Sequence, residues 1–91
     1  MVRPFKKRCI HSIPNALYYK PKGIPLKTLE EVVLELDEIE AIKLKYVDEL
    51  DQTQAAQKMD ISQSTFQRIL ASANKKIADA LIHGKAIKIE I

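Results

Sequence analysis

QTQAAQKMDISQSTFQRILA, residues 52–71, decides the fold: it reads as a helix-turn-helix. Ala55 and Met59, four apart, give a first helix one buried stripe, and Ala56 is small where a second helix crosses closely. Asp51 stands just before that helix as an N-cap. Asp60 falls in the turn, at a position whose φ > 0 backbone usually wants Gly and which Asp tolerates. Ile61 plugs the corner and Ser62 caps a second helix whose Phe66, Ile69 and Leu70 point inward. Gln63, Ser64, Gln67 and Arg68 are left on the outer face, as the side chains a recognition helix presents to base edges and phosphates. An ordinary helical hairpin with a polar exterior shares part of this pattern. What favours DNA binding is that the small residues, turn and caps agree in one short stretch.

The whole chain sets the frame. Its 91 residues make one small domain, with 46% hydrophobic and 30% charged residues, as in a globular protein. No apolar run reaches the length of a membrane span. The basic N-terminus lacks the apolar core of a signal peptide, so a cytoplasmic location is expected. The lone Cys9 cannot form an internal disulfide, which fits a reducing compartment. Net charge is only +3, but residues 1–27 hold seven Lys/Arg and no acid, and residues 28–60 hold three basic and ten acidic side chains, 3 − 10 = −7. Residues 61–91 return to 5 − 2 = +3. Basic ends around an acidic middle suit a chain with one face for a polyanion and another turned away.

Residues 1–8 read as a basic arm, with Arg3, Lys6, Lys7 and Arg8 beside Pro4. Such arms reach phosphates or a narrow minor groove, and they also serve as solubilising termini. Residues 9–13 are expected to form a short strand. Cys9 and His11 lie there, but two potential ligands without further Cys or a nearby His make no metal site. Residues 14–25 contain three of the four prolines, and Pro21 and Pro25 forbid a continuous helix. Tyr18 and Tyr19 are expected to seal the edge of a small core, with Lys20 and Lys22 available to phosphates.

Residues 26–36 fit a turn of helix followed by an extended VVLEL. Asp37 with Glu40 has capping-box spacing, so a helix is expected over 38–47 that buries Ile39, Ile42 and Tyr46 and exposes Lys43 and Lys45. The motif's second helix should run on to Gly84, a natural C-cap, with Ala73, Ile77, Ala80 and Leu81 continuing the apolar stripe. Lys75 and Lys76 then lie where a long recognition helix passes phosphates. Ile87, Ile89 and Ile91 alternate with Lys88 and Glu90 as a terminal strand. That strand must pair with residues 9–13, with residues 32–36, or with its own copy in a second subunit.

YYKPKGIPL, LDEIEAIKL, QAAQKMDISQSTFQRIL and ANKKIADALIHGKAIKIE together cover nearly the whole chain. They resemble a family of small predicted DNA-binding proteins of unknown precise function, found in bacteria and archaea. The family's helix-turn-helix is similar to region four of the primary sigma factors. The resemblance implies a three-helix DNA-binding core and a role in transcription regulation. The chain departs from the family pattern at Asp60, where Gly is usual, and at Lys43, where Arg is usual.

The expected fold is therefore mainly α: a sigma-region-four-like, three-helix core with short N- and C-terminal strands, in one domain over 1–91. Within it, residues 1–27 form the basic arm and Pro-rich extended segment, 37–84 the helical core, and 85–91 the terminal strand. The leading expectation is a sequence-specific regulator that binds double-stranded DNA without chemistry or cofactor. Arg68 would contact guanine or phosphate, Gln63 and Gln67 base edges, and Ser62 and Ser64 a phosphate held at the helix N-terminus. One recognition helix reads few base pairs, so a homodimer is expected, with the terminal strand in its interface. A second reading is an adaptor of the transcription machinery that uses the acidic surface of residues 30–40, with DNA contact secondary. An enzyme is the weakest reading. The sequence shows no metal-ligand cluster, no phosphate-cradling glycine loop and no nucleophile–base pairing.

Overall fold

The computed structural model describes residues 17–90. Its elements are strand β1 (Tyr18–Tyr19), a 3-10 turn (Leu26–Thr28), strand β2 (Glu31–Glu35), helix α1 (Leu36–Ile42) and a π-helical turn (Lys43–Val47). Helix α2 (Gln52–Met59), helix α3 (Gln63–His83) and strand β3 (Ala86–Glu90) follow. The chain is mainly helical, with one small three-stranded sheet. The basic arm and the expected strand over 9–13 lie outside the described residues.

Of the three partners open to the terminal strand, residues 32–36 are used. β3 pairs parallel with β2, with Val32 opposite Ile87 and Leu34 opposite Ile89. Its other edge pairs antiparallel with β1, Tyr18 opposite Lys88 and Tyr19 opposite Ile87. β3 is thus the middle strand. With both edges occupied within the chain, β3 does not pair edge to edge with a copy of itself.

α3 runs 21 residues without an internal Gly or Pro and contributes to both parts of the core. Phe66, 1% exposed, joins Ala41, Leu44, Ala55, Ala56 and Met59 where α1, α2 and α3 meet. One helical turn pair further on, Ala73 packs with Leu34, Leu36 and Ile89 beneath the sheet. Alanine at 73 and 80 lets the helix approach the strands closely.

The helix after β2 differs from expectation. It begins at Leu36, with Glu35 as N-cap and Glu38 as the reciprocal partner of a capping box, in place of Asp37 and Glu40. Its buried side is Leu36, Asp37, Glu38, Glu40, Ala41 and Leu44, while Ile39 and Ile42 are half-buried and Tyr46 is 53% exposed. Lys43 and Lys45 are half-buried as well. The π-helical turn adds to the departure. The Asp48 N–H donates to the Lys43 carbonyl at 2.9 Å, five residues back, and the Lys43 ammonium holds the Asp48 carboxylate at 2.7 Å. This wider turn carries Tyr46 round towards solvent. Leu81, expected in the apolar stripe, is 73% exposed because the sheet ends its cover at Ala80.

Candidate nucleic-acid interface

The α2–α3 unit is built from local rules that coincide. The Asp51 carboxylate accepts the Gln54 N–H at 2.8 Å, and the Gln54 side chain accepts the Asp51 N–H at 3.2 Å, closing a capping box. Asp60 ends α2 at φ 58°, ψ 46°, in the left-handed region. Ile61 then donates its N–H to the Ala56 carbonyl and packs on the core at the corner. The Ser62 hydroxyl accepts the Thr65 N–H at 3.1 Å as the N-cap of α3. The Gln52 side chain donates to the Gln63 carbonyl at 3.4 Å, a further tie between the two helices.

With Phe66 inward, the N-terminal half of α3 turns Gln63, Ser64, Gln67 and Arg68 to solvent. Ser64, Arg68, Ala71 and Lys75, spaced 4, 3 and 4, form one exposed stripe down the helix. Three of these, Ser64, Arg68 and Lys75, are expected site residues, and the fold exposes them together with Gln63 and Gln67. Two others have structural work. Ser62 is committed to the cap and also bonds Thr65 Oγ1 at 2.9 Å. Lys76 is engaged within the fold. Its ammonium donates to the Glu38 carboxylate at 2.8 Å and to the Val33 carbonyl at 2.7 Å, which ties it inward to α1 and β2. Arg3, Lys6, Lys7 and Arg8 lie outside the described residues. Lys20 curls back onto its own loop, donating to the Ile24 carbonyl at 2.8 Å.

Thr65, Ser72 and Glu38 are absent from the sequence-derived set. A cleft of about 420 Å³ beside this exposed face of α3 is lined by Glu35, Asp37, Glu38, Arg68, Ser72 and Lys76. Arg68 rests along its rim and reaches Thr65 Oγ1 at 3.4 Å, a contact too long to anchor a guanidinium. Deeper in, the Glu38 carboxylate accepts the Ser72 hydroxyl at 2.6 Å and the Glu35 N–H at 2.9 Å. Burial works against the Glu38 charge, but the hydrogen bonds from Lys76, Ser72 and the Glu35 amide outweigh it and hold its pKa below the ordinary carboxylate value. One signal in the sequence pointed here: Arg68, Ser72 and Lys76 recur every four residues on one flank of α3.

The acidic segment 30–40 divides by burial. Asp37, Glu38 and Glu40 face inward, leaving Glu30, Glu31 and Glu35 on the surface. No three His, Cys, Asp or Glu side chains among the described residues gather as metal ligands. No described helix is long and apolar enough to cross a membrane.

A family model described as "Protein of unknown function DUF134" matches residues 1–91. A UPF0251 protein of Caldanaerobacter subterraneus subsp. tengcongensis is 53% identical over 90 residues, covering 99% of this chain and 76% of that relative. A UPF0251 protein of Dehalococcoides mccartyi strain BAV1 is 56% identical over 90 residues, with 99% and 77% covered. The UPF0251 protein of Halothermothrix orenii is 49% identical, with 99% and 67% covered. No solved structure matches. The chain belongs to the DUF134, or UPF0251, family.

Proposed function

We propose that this member of the DUF134 family is a sequence-specific DNA-binding transcriptional regulator that works by occupying duplex DNA through a helix-turn-helix of the sigma-region-four type. The observation that carries the reading is the exposed N-terminal half of α3, where Gln63, Ser64, Gln67 and Arg68 project from a helix whose opposite face is fixed by Phe66. α2 with its left-handed Asp60 turn supplies the supporting helix such a motif needs. Arg68 would take a guanine edge or phosphate, Gln63 and Gln67 base edges, and Lys75 a phosphate farther along. The basic arm with Arg3, Lys6, Lys7 and Arg8 would add phosphate contacts. In this reading the protein performs no chemistry, uses no cofactor and resides in the cytoplasm.

The adaptor reading is the weaker one, since burial of Asp37, Glu38 and Glu40 removes half of the acidic surface it needs. Duplex selection tests the two together. The purified protein is incubated with a random duplex library, bound fragments are sequenced, and affinity for the enriched site is followed against salt. The expected result is an enriched sequence and a log–log salt plot falling by about 0.9 per phosphate neutralised. Salt-dependent binding with no enrichment leaves a nonspecific binder or adaptor. No binding at low salt overturns DNA recognition.

A further inference from the structure

The core beneath the sheet is open on one side. An apolar groove of about 280 Å³ lies there, walled by Ile39 and Ile42 of α1 and Ile77 of α3 and floored by Ile87 and Ile89 of β3, with Tyr19 of β1 at its lip. None of the described residues lining it is charged. Ile39, Ile42, Ile77 and Ile87 pack inward on the core that holds Leu34, Ala73 and Ile89, yet all four stay half-buried. Four branched aliphatic side chains side by side, each partly in water, make a seat for one more apolar segment. We propose that residues 9–16 of this same chain, CIHSIPNA, fill the groove, with Ile13 as the inserted side chain.

The point where the chain enters β1 favours this occupant. The Leu17 carbonyl accepts the Ile89 N–H at 2.9 Å, and Tyr19 stands opposite Ile87. Alternation along a strand puts Leu17 and Tyr19 on one side of the sheet, the side of Ile87, Ile89 and the groove. Leu17 is 41% and Tyr19 55% exposed, so the chain crosses the lip of the groove over two side chains that are themselves only partly covered. β1 runs antiparallel to β3, and the end of β3 lies beside the start of α1, since Glu90 is opposite Glu35 and Leu36 begins the helix. The backbone upstream of Leu17 therefore arrives one helical turn before Ile39. Ile13 is four residues before Leu17, a reach of up to about 13–14 Å, enough to return over Ile39 and Ile42, which lie about one turn of about 5.4 Å apart. Pro14 and Asn15, both turn formers, stand where the chain would double back.

Charge favours it as well. Arg3, Lys6, Lys7 and Arg8 all precede Cys9, whereas residues 9–17 contain no Lys, Arg, Asp or Glu. The uncharged stretch is thus the one next to the uncharged groove, and inserting it strands no ion in an apolar site. A segment tethered at the lip is present at an effective concentration on the order of millimolar, which favours it over the same segment of a second copy at ordinary protein concentrations. Seated in this way, residues 9–16 fix the point from which the basic residues leave the domain. The proposal stands or falls without reference to DNA.

Methyl NOE spectroscopy of the 91-residue chain with labelled isoleucines, beside melting curves of Ile13→Asp and Ser12→Asp, tests the proposal. The expected result is NOEs from the Ile13 methyls to those of Ile42 or Ile77, kept when the labelled chain is diluted into unlabelled chain. Ile13→Asp should lower the melting temperature by about 4–8 °C or more, and Ser12→Asp, one position out of phase, should leave it unchanged. Ile13 methyls with no NOE to any groove isoleucine overturn the proposal. NOEs that arise only between differently labelled chains overturn it too, because the occupant is then a second copy's segment. Equal melting of the two variants does the same. The NOEs are read in the parent, so they decide the matter even where Ile13→Asp fails to fold, and Ile13→Ala then takes its place in the melting comparison.

Discussion

The Lys76 ammonium lies 2.8 Å from the Glu38 carboxylate, and the two residues are 38 positions apart in the chain. With Ser72 at 2.6 Å on the other carboxylate oxygen, Glu38 fastens the start of α1 to the middle of α3. Lys75, the next residue along the helix, is exposed, and no hydrogen bond of its side chain occurs among the described residues. Two adjacent lysines on one helix thus stand in different surroundings. Lys76→Ala should lower the melting temperature, since removing it leaves Glu38, a largely buried carboxylate, short of a donor, at a cost of about 1–3 kcal/mol. Lys75→Ala should leave melting unchanged. Thermal unfolding of both variants decides the matter, and equal melting temperatures for the two would contradict the assignment.

Acid sensitivity follows from the same carboxylate. The folded-state pKa of Glu38 is held below its ordinary value, so the folded protein binds fewer protons there than the unfolded chain does. Its contribution to stability is therefore complete above the ordinary glutamate range, near about 4.3, and is lost as pH falls through the folded value. Glu38→Gln should be less stable than the parent at neutral pH, with the gap narrowing as the solution is acidified below about pH 4. Parallel urea titrations at several pH values measure it. A gap independent of pH would mean that the carboxylate's charge is not what holds the latch.

How much of this was legible in the sequence depends on how local the cause is. The segment 52–71 could be read residue by residue because caps, turn and inward face all act within a few positions of one another. Asp51, Asp60, Ser62 and Phe66 stand where those rules put them. The helix from Leu36 was harder. Its buried side includes Glu38 and Glu40, residue types that pattern reading assigns to solvent, and the π-helical turn shifts the phase of Tyr46. Lys76 could not be separated from Lys75 because its partners, Glu38 and Val33, come from distant elements. β1 is two residues long and owes its strand geometry to β3, a neighbour the local sequence does not reveal.

Among the described residues Phe66 is the largest fully buried side chain, and it lies where α1, α2 and α3 meet. Phe66→Ala should cost about 3–5 kcal/mol through lost burial and the cavity left behind. That is a large share of the 5–15 kcal/mol typical of a domain. Chemical denaturation should show a midpoint moved far down, or no cooperative transition. A loss under about 1 kcal/mol would place the ring outside the core.

Asp60 holds φ at 58°, where a Cβ crowds the following carbonyl by about 1–2 kcal/mol for ordinary residues and less for Asp. Glycine removes that conflict but adds about 0.4–1 kcal/mol of unfolded-chain entropy. Asp60→Gly should therefore change stability only slightly, towards the stable side, while Asp60→Val, β-branched, should destabilise clearly. Melting curves of the pair test it, and a valine variant as stable as the parent would show that the turn has relaxed into another conformation.

The proposed DNA-binding role of α3 allows reading to be separated from holding. Arg68 and Gln67 project from the N-terminal half of α3, whereas Lys75 lies seven residues beyond Arg68, two turns down the same exposed stripe. A straight helix laid in a groove keeps base edges within reach of its first turns and passes only the phosphate backbone farther along. Arg68→Ala or Gln67→Ala should therefore cost about 1–3 kcal/mol on the selected site and relax discrimination there. Lys75→Ala should weaken every duplex alike and reduce the salt slope by about 0.9, because a phosphate contact carries no base identity. Each variant is measured on the selected and a scrambled duplex at one fixed salt concentration. Should Arg68→Ala and Gln67→Ala lose both duplexes by the same factor, α3 holds the DNA without reading it, and sequence preference would have to come from DNA shape or another part of the chain.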